Sequence, residues 1–207
     1  MKVILGRKVG MTRVATHTGE IVGATVIEAL PNSVVQIRSK ANDGYSALQV
    51  GYGDPSRAKK PQRTQIEKIG AQAGAILKEF RMEGELPQVG SSLNVTQFTL
   101  GDRVSVTSTS RGRGFAGTVK RHHFHMGPRS HGSMNIREPG SIGSTYPQRT
   151  IKGKRMAGRL GGRQATVHHL EILDILPDEH LLVIKGAVPG IRGAIVKIMS
   201  LSEASDE

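Results

Sequence analysis

This 207-residue sequence predicts a mainly β fold built around a barrel, on three observations. Short β-branched or apolar runs recur towards both ends of the chain, punctuated by Gly, Pro, Asn and Asp turn signals. A helical period shows up only between residues 54 and 82. Strand character stops before Arg111 and resumes after Arg163, on either side of a segment too poor in apolar residues to build a core.

Val3-Ile4-Leu5 reads as a short strand ending at Gly6. Thr18-Gly19-Glu20 is a turn, and Ile21 to Glu28 follows as a β-branched strand. Val35 and Ile37 alternate with Gln36 and Arg38, the period of a half-buried strand. Asn42-Asp43-Gly44 turns the chain, and Leu48, Val50 and Tyr52 then share one face. Residues 54–82 form a small insertion. Pro61 suits the first helical position, where its missing N–H goes unused. Ile66, Ile69, Ala73, Leu77 and Phe80 keep a helical period that Gly70 and Gly74 weaken. The expectation is a short helix from about Pro61 to Ala71, then extended chain from Leu77 to Met82. Further strands are expected over Leu93–Phe98 and Arg103–Thr107, and again over Thr166–Leu176, Leu181–Ile184 and Ala194–Met199. Pro177 to His180 and Val188-Pro189-Gly190 are the turns between the last three. Ser202 to Glu207 is an acidic, fraying tail. The economical architecture is one β-barrel domain over 1–207, with residues 111–163 as an arm joining two barrel strands. A loop longer than about 12–15 residues without regular structure is usually functional or disordered.

Charge is distributed with the same asymmetry. The 53 residues from Arg111 to Arg163 hold 12 of the 29 Lys and Arg residues and a single acid, Glu138. That segment carries +11 of the chain's net +12, with 11 of its 26 glycines and only five Val, Ile or Leu residues. So basic a stretch calls for a polyanion, and an isoelectric point near 10.4 points to nucleic acid. No run approaches the ~20 apolar residues of a membrane span. The basic segment also lacks the apolar face of an interfacial helix. With no cysteine, disulfides, thiol nucleophiles and thiolate metal sites are excluded. Met1-Lys2-Val3-Ile4-Leu5 runs straight into a strand without a signal-peptide pattern, so the expected compartment is the cytoplasm.

Arginine forks two hydrogen bonds onto one phosphate and stacks on bases, while lysine adds a point charge. The candidate phosphate contacts are Arg111, Arg113, Lys120, Arg121, Arg129, Arg137, Lys152, Lys154, Arg155 and Arg159. His131 and Tyr146 are candidate base contacts, and Phe115 and Phe124 are able to stack. Arg7 and Lys8 read equally as RNA contacts or as surface decoration. With only 3% aromatic residues, recognition of folded RNA by shape and phosphate fits better than a single-strand stacking platform. So little apolar content does not offset ordering entropy, so the free arm is expected to be mobile.

Three enzyme-like signals have chemistry against them, and an enzyme using the glycine loop stays as one rival reading. Gly112-Arg113-Gly114-Phe115-Ala116-Gly117 spells GxGxxG, with Glu138 about twenty residues on, but no βαβ pattern surrounds it. His122, His123, His125 and His131 have no carboxylate or thiolate among them, and the dense positive field opposes a cation. Ser130-His131 lacks the GxSxG frame, since Pro128 stands in the first glycine's place. No cofactor, metal or small-molecule substrate is expected.

Six motifs then carry a family resemblance. They are Leu5-Gly6-Arg7-Lys8-Val9-Gly10-Met11-Thr12, Gly114 to His122, Gly127-Pro128-Arg129-Ser130-His131-Gly132-Ser133, Arg137 to Gly143, Lys152 to Arg159, and Lys185-Gly186-Ala187-Val188-Pro189-Gly190. In this order, over nearly the whole chain, they resemble the bacterial L-three family of large-subunit ribosomal proteins. The resemblance implies a translation-factor-like barrel with a small helical insertion and a long basic, irregular extension. It implies direct binding to large-subunit (23S) rRNA, a role in starting subunit assembly, an arm reaching toward the peptidyl-transferase centre, and neighbouring large-subunit proteins as partners. It implies no catalysis by the protein. Ser144-Thr145-Tyr146 departs from the family pattern before Pro147, and the family's methylated glutamine is not matched. Met134-Asn135-Ile136 replaces a stretch often rich in His or Arg. The rival on electrostatics alone is a non-ribosomal RNA chaperone or assembly factor.

Overall fold

The structure, a computed structural model, describes residues 1–16, 19–69, 74–82, 84 and 86–201. It divides into two compact units: one formed by residues 1–109 and 164–207, the other by residues 110–163. In chain order the elements are β1 (Val3–Ala15), β2 (Ile21–Glu28), β3 (Asn32–Arg38), α1 (Lys40–Asp43), β4 (Ala47–Tyr52), α2 (Lys60–Ile69), β5 (Ile76–Arg81), β6 (Ser92–Leu93) and β7 (Arg103–Thr109). There follow β8 (Phe115–Ala116), α3 (Thr118–His122), β9 (Gly158–Arg159), β10 (Gln164–Leu176), β11 (Leu181–Lys185) and β12 (Ile195–Ser200).

The first unit is a closed barrel of six antiparallel strands in the order β1-β12-β7-β10-β11-β2. Beside it lies a four-stranded sheet, β5-β4-β3-β6. Ile4, Ile27, Val104, Val106, Ile172, Leu182, Ile184, Val196 and Ile198 fill the barrel. The flanking β1 residues, Val3 and Leu5, face the other way and pack with Val34, Leu48, Val50, Tyr52 and Phe80 of the sheet. A strand buried on both faces must be apolar without alternation, which is what Val3-Ile4-Leu5 is. The far side of the sheet is closed by α2, whose Ile66 meets Val35. Leu48, Val50 and Tyr52 do share one face, as their alternation predicts.

The differences from the sequence reading have local causes. β1 continues past Gly6 to Ala15 because Gly10 to Ala15 pair with Ile21 to Val26, a pairing that runs on past the Ala24–Glu28 stretch of β2 that β11 covers. There the side chains are largely exposed, so backbone pairing persists without an apolar signal. Val35 and Ile37 do not share a face: the register shifts between Val34 and Gln36, sending Val35 to α2 and Ile37 to the barrel side. Asn42-Asp43-Gly44 ends a single helical turn, α1, with Gly44 as its left-handed cap at φ 78°. The expected strand over Leu93–Phe98 is two residues of β6 followed by a 3-10 turn over Val95–Gln97. That turn brings Val95 and Phe98 to the same side, where both enter the barrel core. The observed α2 starts at Lys60 and not at Pro61. Its expected end at Ala71, the turn residue Thr18 and the tail Ser202–Glu207 lie outside the described residues.

One buried polar side chain ties barrel to sheet. The β1–β2 register begins at Arg7 and Glu28, so the Leu5 backbone has no β2 partner. Asn32, fully buried at the start of β3, substitutes for one. Its Oδ1 accepts from Leu5 N at 3.2 Å, and its Nδ2 donates to Leu5 O at 3.0 Å and Leu30 O at 2.8 Å. A second tie anchors the chain start. The Lys2 ammonium lies 2.7 Å from Asp102 Oδ2, and Asp102 also accepts from Thr99 N at 2.9 Å and Thr99 Oγ1 at 2.6 Å. Partial burial would raise the Asp102 pKa, but these bonds outweigh it and hold the carboxyl below the usual aspartate range.

Asn32→Leu keeps the volume but strands a buried N–H and C=O at about 1–3 kcal/mol each. Chemical denaturation should show a loss of roughly 2–6 kcal/mol with unchanged denaturant slope. The lowered carboxyl of Asp102 contributes stability that is present above the unfolded aspartate pKa of about 3.9 and lost as pH falls through the folded value. Asp102→Asn should therefore destabilise at pH 7, with the gap from wild type narrowing as the pH is taken below ~4 in acid titration.

Candidate nucleic-acid interface

The second unit begins and ends on its own backbone ladder. Ser110 N donates to Arg163 O at 2.8 Å, and Gly162 N donates to Ser110 O at 3.1 Å. Arg113 N donates to Leu160 O at 2.8 Å, and Leu160 N to Gly114 O at 2.9 Å. Beyond these, β8 and β9 pair Phe115 with Arg159 and Ala116 with Gly158. Gly117 then caps α3, which stops when His123 turns left-handed at φ 58°. Arg121 and His122, on that helical turn, both reach the carbonyl of Met156 on the returning chain, His122 Nε2 at 3.0 Å. The guanidinium of Arg121 also lies over Gly158, where a Cβ would stand 2.8 Å from its Nη1.

Past this point the chain is irregular from His123 to Ala157, as glycine and proline content predicts. Gly127 N donates to Ile136 O at 3.0 Å, closing a sub-loop around Arg129 and His131. A Cβ at Gly127 would stand 2.0 Å from Asn135 O, so the two backbones approach only because position 127 has no side chain. Arg137 Nη1 lies 3.3 Å from Met126 Sδ across that sub-loop. The Tyr146–Pro147 bond is cis.

The candidate residues are therefore displayed over one continuous segment and do not converge on a pocket. Arg111, Arg113, Lys120, Arg129, Arg137, Lys152, Lys154, Arg155 and Arg159 are all exposed, as are Arg149 and Arg163. Arg121 is the exception, half-buried and engaged by Met156 O. His131 is exposed with φ 60°, and Tyr146 is 80% exposed. In the whole segment only Ala116 and Thr118 are buried. The ion pairs found among the described residues are Lys2–Asp102, Arg38–Asp43, Arg38–Glu79 and Lys185–Glu171, all in the other unit. No cation of residues 110–163 meets a described carboxylate.

On the barrel unit, Arg7 is exposed, but Lys8 Nζ donates to Val188 O at 2.7 Å and Gly190 O at 3.2 Å, spending its charge on the fold's own backbone. His168 and His169 stand exposed where the β10 register shifts between Val167 and Leu170. The sequence has no turn residue there to mark the bulge. The GxGxxG string does not make a dinucleotide fold: β8 is two residues long, pairs antiparallel with β9, and is followed by the five-residue α3. Among the described residues no three His, Cys, Asp or Glu side chains come together as a metal-ion group. Among the described residues no helix is long and apolar enough to cross a membrane.

Fold and charge together define a class: a small antiparallel β-barrel protein carrying one polycationic, glycine-rich excursion. The family model described as Ribosomal protein L3 matches residues 23–180. The large ribosomal subunit protein uL3 of Syntrophobacter fumaroxidans is 44% identical over 208 residues, 99% of each chain. That of Streptococcus pyogenes is 44% identical over 207 residues, again 99% of each, and that of Carboxydothermus hydrogenoformans 46% over 200 residues, 95% of this chain and 96% of its own. The chain belongs to the ribosomal protein L3 family. It is a structural ribosomal protein of the large subunit and not an enzyme.

Arg121 differs from the other eleven cations in being half-buried and bonded to a backbone carbonyl of the returning chain. In the full chain, Arg121→Ala should increase chymotrypsin cleavage at the half-buried Phe124 several-fold, whereas Arg155→Ala, at an exposed position, should leave it unchanged. Mass spectrometry of the digestion products reads the difference.

Proposed function

We propose that the chain binds large-subunit (23S) rRNA directly through residues 110–163, which form an extended rRNA-binding arm on a single barrel domain. The observation that carries this reading is the exposure of eleven of the twelve cations in that segment, with no described carboxylate to neutralise them. Such a surface lowers its free energy by exchanging condensed counterions on a phosphate backbone. The guanidinium groups of Arg111, Arg113, Arg129, Arg137, Arg155 and Arg159 neutralise phosphates bidentately, and Lys120, Lys152 and Lys154 act as point charges. His131 and Tyr146 contact bases. Arg121 acts from within, by shaping the segment that presents the others.

The same reading extends to assembly. A cationic segment that lowers the repulsion between converging RNA helices favours early binding, and so helps to nucleate the subunit. In this reading the arm reaches toward the peptidyl-transferase centre and the barrel unit meets neighbouring large-subunit proteins, for which the family likeness is the support. The role is one of position and charge, and peptide-bond chemistry belongs to the RNA.

If about half of the twelve cations meet phosphates, the affinity of the full chain for large-subunit rRNA should fall with salt along a log–log slope of roughly −4 to −5. Filter binding between 50 and 300 mM KCl measures it, and a slope near zero would sink the proposal. Retention of the chain on salt-washed large subunits separates a built-in constituent from an assembly factor that washes off.

A further inference from the structure

Phe115 is an aromatic side chain that the fold displays instead of burying. It is 81% exposed, on a segment whose other exposed groups are mainly cationic or small. Its neighbour Ala116 takes the buried side of β8, so the alternation of the strand turns the Phe115 ring outward. Its cross-strand partner is Arg159, and the exposed Arg113 lies two residues before it in the chain. The backbone under all three is fixed by the Arg113–Leu160 and Leu160–Gly114 bonds at 2.8 and 2.9 Å. Arg159 is drawn aside along its strand: its guanidinium lies over Gly162, where a Cβ would stand 2.8 Å from Nη2. Among the described residues the Phe115 ring makes no ring–ring or cation–π contact.

We propose that Phe115 is a base-stacking wedge: it takes the face of one unpaired nucleotide of the bound RNA while Arg113 and Arg159 hold the phosphates on either side. The inference rests on the rRNA reading above and adds a site to it. An apolar protein pocket is the less suitable occupant, because seating Phe115 in one would strip water from two guanidinium groups without giving them partners. A base presents its π-face to the ring and its own phosphates to the cations, so both needs are met at once. A rigid two-stranded clip suits a wedge, since little side-chain or backbone freedom remains to be lost on stacking.

The chain has no tryptophan, so Phe115→Trp makes a single fluorophore at the site. Titrating the full-length variant with purified large-subunit rRNA should quench its emission. Phe115→Ala should weaken binding about 5- to 150-fold, the range for loss of one base–aromatic stack, while leaving the salt slope unaltered. Arg113→Ala should instead make the slope shallower by about 1. Circular dichroism checks that each variant is folded, which the exposure of position 115 favours. Unquenched tryptophan, wild-type affinity of Phe115→Ala, or full rescue by Phe115→Leu would each overturn the wedge while the salt slope of the wild type stands. Absence of any salt-dependent binding by the wild type would overturn the rRNA reading itself.

Discussion

Like charge without an internal counter-charge is the constraint from which the rest follows. Twelve cations share 53 residues with one carboxylate, and that carboxylate, on Glu138, is itself exposed. A globular core tolerates almost no unpaired charge, so such a segment cannot be folded into one. The chain answers by keeping the segment apart as a unit of its own, with a ladder of backbone hydrogen bonds where it begins and ends. Backbone hydrogen bonds hold a shape without requiring apolar burial, and the segment has little to bury. Arg121 shows the same economy. A guanidinium that finds a carbonyl, as this one finds Met156 O, retains hydrogen-bonding partners even where it is half-buried.

The barrel unit solves the opposite problem, that of making enough core. Its economy is the double use of β1, with Ile4 filling the barrel and Val3 and Leu5 anchoring the second sheet. A strand shared by two cores leaves part of its backbone facing a junction where no strand fits. Asn32 fills that gap with a carboxamide, which carries the donor and the acceptor of a peptide group on one side chain. The half-buried Lys197 solves a similar problem on the edge of β5, donating to Glu79 O with its ammonium 4.7 Å from the Phe80 ring centroid. Burial, and the nearby Lys78, hold its pKa below the usual lysine range.

What was legible in the sequence was what periodicity and charge encode. Ile21 to Glu28 was bounded correctly because β-branched residues, Ile21, Val22, Thr25, Val26 and Ile27, fall towards both its ends. The cationic segment was legible from charge alone, as twelve Lys and Arg residues against one acid between Arg111 and Arg163. What escaped was set by tertiary context. Nothing local tells that β1 runs on to Ala15, since its pairing with β2 is a backbone matter. Nothing in Val34-Val35-Gln36 announces a bulge, and Val95-Thr96-Gln97 looks like a strand until the barrel's need for Val95 and Phe98 together is known. The capture of Arg121 and Lys8 by backbone carbonyls was equally hidden, because the sequence shows how many cations there are and not which of them the fold has already engaged.

The last pair in the β7–β10 register is Thr109 with Gln164, the two residues between which the whole cationic segment is threaded. Departure and return are the two sides of one rung, so in the β7–β10 ladder the intervening chain takes the place of a hairpin turn. Such a junction works as a socket. A change of length within the segment leaves the pairing of β7 with β10, and with it every barrel strand, in register.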